Sequence, residues 1–473
     1  MTAGIANIPF TYYYKNPSSN PAAPFMPSDL LIDSLLCTLQ EFPILVSCLV
    51  VNGSGHGFVI VDGDNPNMPD IQESQSSVHY RTIETANFSW SAVPDSVVTV
   101  FPCPTADISG ALQLLNVNIV RLQDNSSLIL FANIPHYVMD GRSYGMFMQR
   151  WAEVCRCMCG DSTAEPPTRH YEFNHRAVGR ALPYEMAEMS PTLKHYFATQ
   201  NAFGDHMSWL SPEARGKYLI GDAVRIPART HTFHITHAAI ASIRERIAGA
   251  SHTDNRVSDN DILCALISHA IARGIADYNS LPENKELWGR PTQMSESAQS
   301  GAGSEFTSFV AFDMRPRIGL LDANFVGGRV VVVPVPHTMS SLSRTDNAAK
   351  MLSTATAGIR AMVDGLTGPF VNLMDYVLSL GAGGNMHFWG QVMSQPQKVL
   401  ISNQTRFGLY KCDFGNGVPR WVSALLAAMT NLAAILSLNP ESDGYDVYLS
   451  VESHVMEGIL TNELWNGHAR LMY

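Results

Sequence analysis

Apolar residues along this chain switch between two spacings, and the switches mark its elements. Ser127-Leu128-Ile129-Leu130-Phe131-Ala132 is a largely apolar run of strand length, as a buried strand requires. Over 143–158 the pattern becomes helical, with Phe147, Trp151 and Val154 or Cys155 at one-face spacing. Residues 112–121 alternate like a strand, and Gln123-Asp124-Asn125 separates them from the apolar run as a hairpin-type turn. Earlier, a helix is predicted near 30–40, ending at Glu41-Phe42-Pro43, with strand-like alternation around 44–51 and 57–61.

The second half repeats the mixture. Thr232-Phe233-His234-Ile235 reads as a short strand, and Thr236 can cap a helix through about Ile247, with Ile240, Ile243 and Ile247 on one face. Ser258 is a good N-cap for the next helix, whose core is Ile262, Leu263, Leu266 and Ile267. Residues 306–312 form a strand, and Val330 to Val333 is a β-branched run suited to burial on both faces, limited by Pro334. A long amphipathic helix follows over roughly 344–363, and 445–451 alternates as a final strand. Between the halves, 160–232 is richer in Pro, Gly and His with weak periodicity, and 299–304 is a flexible Gly/Ser loop. The fold class is therefore α/β, with mixed α+β sheets in two similar-sized domains.

Composition narrows the partners. The chain has 473 residues, 46% hydrophobic and 15% charged, and a net charge of 31 − 42 = −11 without a basic run. Nucleic acid and anionic membrane surfaces are poor partners for it. Residues 421–438 carry no charge, but Ser423, Thr430, Asn431 and Ser437 interrupt them, so buried strands or a buried helix are expected rather than a membrane span. The N-terminus shows no secretory signal, and most of the eight cysteines sit in apolar stretches. Cys155, Cys157 and Cys159 fall on different sides of a helix, and the usual zinc spacings are missing, so no metal site is expected. His231, His234 and His237 cross a strand-to-helix boundary and should diverge. A reduced, cytoplasmic, monomeric protein is the expectation.

Candidate chemistry gathers in two places. His136-Tyr137-Val138-Met139-Asp140-Gly141 lies where the buried strand ends and the helix begins, so a side chain there projects from rigid support. A histidine can take and return a proton near neutral pH, its unperturbed pKa being about 6.5. The carboxylate four residues on, followed by Gly141, can fix the loop around it. Far downstream, Asp413-Phe414-Gly415-Asn416-Gly417 places glycines at alternate positions, which allows tight backbone geometry. It lacks the surroundings of a protein kinase: there is no Gly-rich loop with a following Lys and no HRD segment.

Taken in order, HxxxDG and DFGxG resemble the BAHD acyltransferase family, within the chloramphenicol-acetyltransferase-like superfamily. The resemblance runs along most of the chain. Ser34-Leu35 through Phe42-Pro43 and Leu45 is similar to the family's early SL…FPLAGRL segment. Asp313-Met314-Arg315-Pro316-Arg317 with Asn324-Phe325-Val326-Gly327 is similar to VNxRxR…YFGN. Ile401 to Phe407 is similar to the strand before DFGWG, and Val447 to Glu452 to the closing strand. Departures are the segment Pro43 to Leu49, which has neither the Gly nor the Arg of PLAGRL, Ser402-Asn403-Gln404 for SSW, and Asn416 for Trp, which suggests a divergent, fungal-like branch.

The resemblance implies two domains, 1–205 and 236–473, joined by a crossover connection over 206–235 with a channel between them. It implies transfer of an acyl group from acyl-CoA, a co-substrate rather than a bound cofactor, to a hydroxyl or amine of a small, secondary-type metabolite. His136 is then the general base. Asp140 points away from the substrate to an arginine, Arg315 first and Arg317 in reserve. Asp413 is a functional residue of the second motif, for which a structural role is physically favoured. Gly141, Phe414, Gly415 and Gly417 support the site, and Asn403 is the candidate oxyanion donor. Two alternatives stay open: a condensation-type domain using a carrier-protein thioester, and a catalytically retired binding or regulatory protein.

Overall fold

The computed structural model describes residues 7–18, 20–51, 57–60, 63–97, 113–136, 138–161, 169–173, 228–250, 257–280, 305–316, 324–365, 397–424 and 431–473. Within them two mixed sheets carry the chain. The strands are β1 (Asn7–Lys15), β2 (Cys48–Val51), β3 (Gly57–Ile60), β4 (Asp70–Gln75), β5 (Asn116–Arg121), β6 (Ser127–Pro135), β7 (Ala228–Thr236), β8 (Glu305–Asp313), β9 (Val330–Thr338), β10 (Lys398–Asn403), β11 (Trp421–Ala424), β12 (Leu432–Ile435), β13 (Gly444–Glu452) and β14 (Arg470–Leu471). The first sheet has the order β11-β1-β6-β5-β4, the second β14-β7-β13-β12-β10-β8-β9, and β2-β3 is a separate hairpin. Parallel pairing joins β4 to β5, and β10 to both β8 and β12, while the other pairs are antiparallel.

In the first sheet the strand pattern decides which side is covered. The even residues of β6, Leu128, Leu130, Ala132 and Ile134, share one core with Val117, Ile119, Phe10 and Tyr12 and with helices α1 (Ser28–Glu41) and α3 (Gly141–Met158). The odd residues Ile129 and Phe131 enter a second cluster on the opposite face, with Tyr13, Trp421, Tyr80 and Ile83, the last two from α2 (Tyr80–Thr85). Every residue of β6 is buried, so its unbroken apolar run follows from cover on both faces. The turn before it has the left-handed backbone that Asx residues tolerate, with φ of 56° at Asp124 and 50° at Asn125.

Helices α4 (His237–Ala250), α5 (Asp259–Ser280), α6 (Met339–Leu342), α7 (Ala348–Asp364), α8 (Ser453–Thr461) and α9 (Glu463–Asn466) accompany the second sheet and share its core. Thr236 caps α4 through Ala239 N, and Ser258 and Asp261 form a reciprocal cap at α5. The apolar stretch 421–438 supplies two strands, and they part company: β11 joins the first sheet beside β1, while β12 joins the second. That exchange ties the chain's second half into the first.

One expectation is corrected. Val330 to Val333 begins β9, the edge strand of the second sheet with Val330 36% exposed, and Pro334 does not limit it, since β9 runs on through Pro334 and Pro336 to Thr338. Pro334 and Pro336 lack N–H groups and are suited to an edge, where a missing donor breaks no central ladder. The loop at 299–304, Arg317 and most of 160–227 lie outside the described residues. No helix among the described residues is long and apolar enough to cross a membrane.

Candidate active site

Strand β6 delivers His136 one residue beyond its last ladder position, Pro135, in a turn closed by Val138 N donating to the Pro135 carbonyl at 2.9 Å. The residue as a whole is half-buried, and its ring lies deep among protein atoms. Burial pushes its pKa below the ordinary 6.5, against the raising influence of its own backbone carbonyl and the Asp140 charge. His136 is therefore neutral at pH 7, the form able to accept a proton.

Asp140 begins α3 as its N-cap, its Oδ1 accepting from Ser143 N at 2.9 Å. It is 1% exposed, and both oxygens are committed. Oδ1 also accepts from Arg315 Nη2 at 3.0 Å, and Oδ2 from the same nitrogen at 2.9 Å and from Arg329 N at 2.8 Å. Arg315 is anchored in turn: Nε donates to the Phe325 carbonyl at 3.1 Å, Nη1 to Asp313 at 2.8 Å, and Nη2 also to Ser143 Oγ and the Gly327 carbonyl. The Asp140–Arg315 partnership expected from the motifs is thus present as a buried, hydrogen-bonded ion pair. A carboxylate so occupied is unfit for proton transfer and well suited to hold the turn that carries His136.

Gly141 and Gly145, four residues apart on one face of α3, admit the segment after β10. A Cβ on Gly141 would overlap the Phe407 ring, and one on Gly145 would overlap the Phe407 carbonyl oxygen. Gln149 Nε2 donates to that same carbonyl at 3.0 Å, and Arg142 Nη1 to the Arg406 carbonyl at 3.4 Å. The segment that follows β10 is thereby held against the first turns of α3.

Asp413 lies elsewhere. Its backbone carbonyl accepts from Arg156 Nη1 at 2.6 Å, near the last turn of α3. Gly141 and Arg156 are separated by about 22 Å of helix at 1.5 Å per residue. The Asp413 carboxylate accepts from Gly415 N at 2.8 Å and Gly417 N at 2.9 Å, and both glycines have left-handed φ, 95° and 96°. Phe414 is buried edge-on against Trp151, ring centroids 5.1 Å apart, and against Tyr14 at 5.9 Å. The structure therefore brings His136, Asp140, Gly141 and Arg315 to one region, whereas the amide of Asn403, at the end of β10, meets Asn260 and Thr405. It sets Asp413, Phe414, Gly415 and Gly417 at the other end of α3, as a clamp between that helix and β1.

Ser143, Gly145 and Arg329 also belong to the site region, and Gly327 and Phe407, from the segments 324–327 and 401–407, take places there that the sequence does not assign. The small-residue spacing Gly141/Gly145 was a readable signal. Gly327 and Arg329 act on Asp140 and Ser143 through backbone groups across more than 180 positions, which no local pattern encodes. His231, His234 and His237 diverge: His231 meets the Tyr473 carbonyl, His234 lies between Asp443 and Asp446, and His237 faces the Tyr445 ring. A cavity of about 700 Å³ lined by Pro21, Phe25, Gln75 and Arg121 lies around the β5–β6 turn, at the end of β6 opposite His136. It has no part in this site.

This combination of two mixed sheets, a strand-end histidine and a strand exchanged between halves defines a two-domain fold found in known proteins. No family model matches the chain. Putrescine hydroxycinnamoyltransferase 2 of Oryza sativa subsp. japonica is 26% identical over 185 residues, 39% of this chain and 56% of that relative. The matched region thus spans about half the length of the curated relative. Among solved structures, F. sporotrichioides TRI101 complexed with coenzyme A and T-2 has a TM-score of 0.69 at 16% identity, over 100% of this chain and 97% of that one. F. graminearum TRI101 complexed with ethyl coenzyme A gives 0.66 at 14% identity, covering 100% and 97%. Vinorine synthase gives 0.59 at 17%, covering 100% and 93%. The fold implied by the motif resemblance is the fold found.

Proposed function

We propose that this protein moves an acyl group from an acyl-CoA thioester to a hydroxyl or amine of a small molecule, with His136 as general base. The observation that carries this reading is the pairing of a neutral, partly accessible His136 with an Asp140 wholly spent on holding its turn. Neutral His136 removes the acceptor's proton as its oxygen or nitrogen attacks the thioester carbonyl carbon. The tetrahedral oxyanion then collapses, the carbon–sulfur bond breaks, and the imidazolium returns the proton to the departing thiolate, leaving an ester or amide and free CoA. Such proton assistance is typically worth about 10² to 10⁴ in rate. Asn403 serves as oxyanion donor, and the Asp413 loop as structural support.

Coenzyme A in the TRI101 complexes supports the choice of donor, and the hydroxycinnamoyl transfer named for the rice relative supports an acceptor that is an amine as readily as an alcohol. In this reading the halves 1–205 and 236–473, connected through 206–235 with β7 siding with the second half, each supply one wall of the site. The protein works as a cytoplasmic monomer on a secondary-type metabolite. The test incubates the purified chain with a panel of acyl-CoAs and small alcohols and amines, putrescine among them, and follows free CoA and product mass. Appearance of both supports the reading. Absence of CoA release with every donor removes it.

A further inference from the structure

The turn between β12 and β13, residues 439–443, is tied to both sheets. On one side the Asp443 carbonyl accepts from His237 N at 2.7 Å, and the Asp443 carboxylate lies 2.8 Å from Nε2 of His234 on β7. On the other, Glu441 pairs with Arg420, whose backbone N–H donates to the Tyr13 carbonyl of β1 at 2.8 Å. The second ring nitrogen of His234, Nδ1, lies 2.8 Å from the Asp446 carboxylate. An ionised carboxylate only accepts, so His234 satisfies both partners only by donating from both nitrogens, and only the imidazolium does that. A neutral ring leaves one carboxylate facing a lone pair. Asp443 is the side chain free to yield, being 78% exposed and able to turn to water. Asp446 is 6% exposed and set opposite His234 in the β7–β13 ladder.

We infer that His234 is a proton-operated latch on the 439–443 turn, closed when the ring is charged and open when it is neutral, so that protonation sets how firmly this link between the two sheets is held. The carboxylates raise the His234 pKa above the ordinary 6.5, Asp446 most, against the opposing influence of burial. Other charged and titratable groups surround the pair. Arg470 stands opposite His234 on β14 with a like charge, and His234, helped by His237, holds the Asp443 carboxyl below its usual range. Burial pushes up the phenols of Tyr410, Tyr448 and Tyr473, which stay neutral. Because the folded pKa lies above the unfolded value of about 6.5, the latch adds stability that is complete below 6.5 and is lost as pH rises through the folded value.

The test follows the His234 ring in the full chain by NMR as pH is raised, together with hydrogen exchange of residues 439–443 scaled to the intrinsic amide rate. Asp443→Asn keeps the shape of an exposed side chain without its charge. His234→Asn has an amide that can keep the Asp446 bond and is too short to reach Asp443. In the wild type His234 should titrate above 6.5, and in Asp443→Asn at a lower value. Scaled exchange of the turn should rise as pH passes the wild-type midpoint, by up to about tenfold for each unit that the midpoint exceeds 6.5. The rise should be smaller in Asp443→Asn, and exchange in His234→Asn should be fast and independent of pH. A midpoint at or below 6.5, a midpoint that Asp443→Asn leaves in place, or wild-type exchange that is flat with pH overturns the inference. Should His234→Asn fail to fold, Asp443→Asn decides by both readouts. Neither readout requires acyl transfer, so that reading stands or falls separately.

Discussion

Replacing Asp140 with Asn probes how firmly the His136 turn is held. The amide keeps the shape of the carboxylate but only one of its two acceptor oxygens. Whichever way it turns, its NH2 group meets a backbone N–H, that of Arg329 on one side or Ser143 on the other. One charge-assisted hydrogen bond is lost, worth about 1.5–3 kcal/mol. Arg315 also loses a carboxylate in a site where the pair's side chains are 3% and 1% exposed, although Asp313 remains to it. Breaking a buried pair usually costs about 3–5 kcal/mol, and the remaining partner puts this case near the lower end, about 3 kcal/mol. For a domain of this size that is a melting temperature lower by roughly 6–12 °C, with the fold retained. A displacement of about 1 Å at His136 costs on the order of 100-fold in turnover. The assay pairs a melting curve with CoA release at saturating acyl-CoA. A variant that melts within about 2 °C of wild type and turns over at the wild-type rate would refute the orienting role.

Two further outcomes follow from the same geometry. Because burial lowers the His136 pKa, the base is neutral above it and protonated below it, so kcat/KM should fall as pH drops through a value under 6.5; the same group adds stability that is full above its unfolded pKa and is lost as pH falls. An acid limb centred above 6.5 would contradict this assignment. Asp413→Ala removes the acceptor of two glycine N–H groups far from His136, and should lower the melting temperature by a few degrees, about 1 kcal/mol per lost bond, while kcat stays within about twofold. A 100-fold loss of kcat at unchanged melting would move Asp413 into the chemistry.

Much of this architecture was legible because it is local. The run from Leu128 to Ala132, the Asx turn before it and the helix from Gly141 onward are fixed by period, turn chemistry and a cap within a few residues of one another. The Val330 run is ambiguous because a β-branched sequence describes an edge strand as well as a central one, and a proline such as Pro334 ends a central strand but is accommodated within an edge one. The Asp140–Arg315 pair was reachable through the spacing of two motifs, yet Ser143 Oγ, the Gly327 carbonyl and Arg329 N were not, since backbone groups leave no residue-type signature. The motif around Asp413 illustrates the limit. Order along the chain says nothing of distance, and α3 separates that loop from the histidine by most of its length.

The most direct measurement compares wild type with His136→Ala on the best acyl-CoA and acceptor pair, following acylated product by mass and folding by melting curve. Loss of about 10² to 10⁴ in turnover at unchanged melting temperature is the expected result. Full turnover by the alanine variant would show that the proton leaves the acceptor by another route.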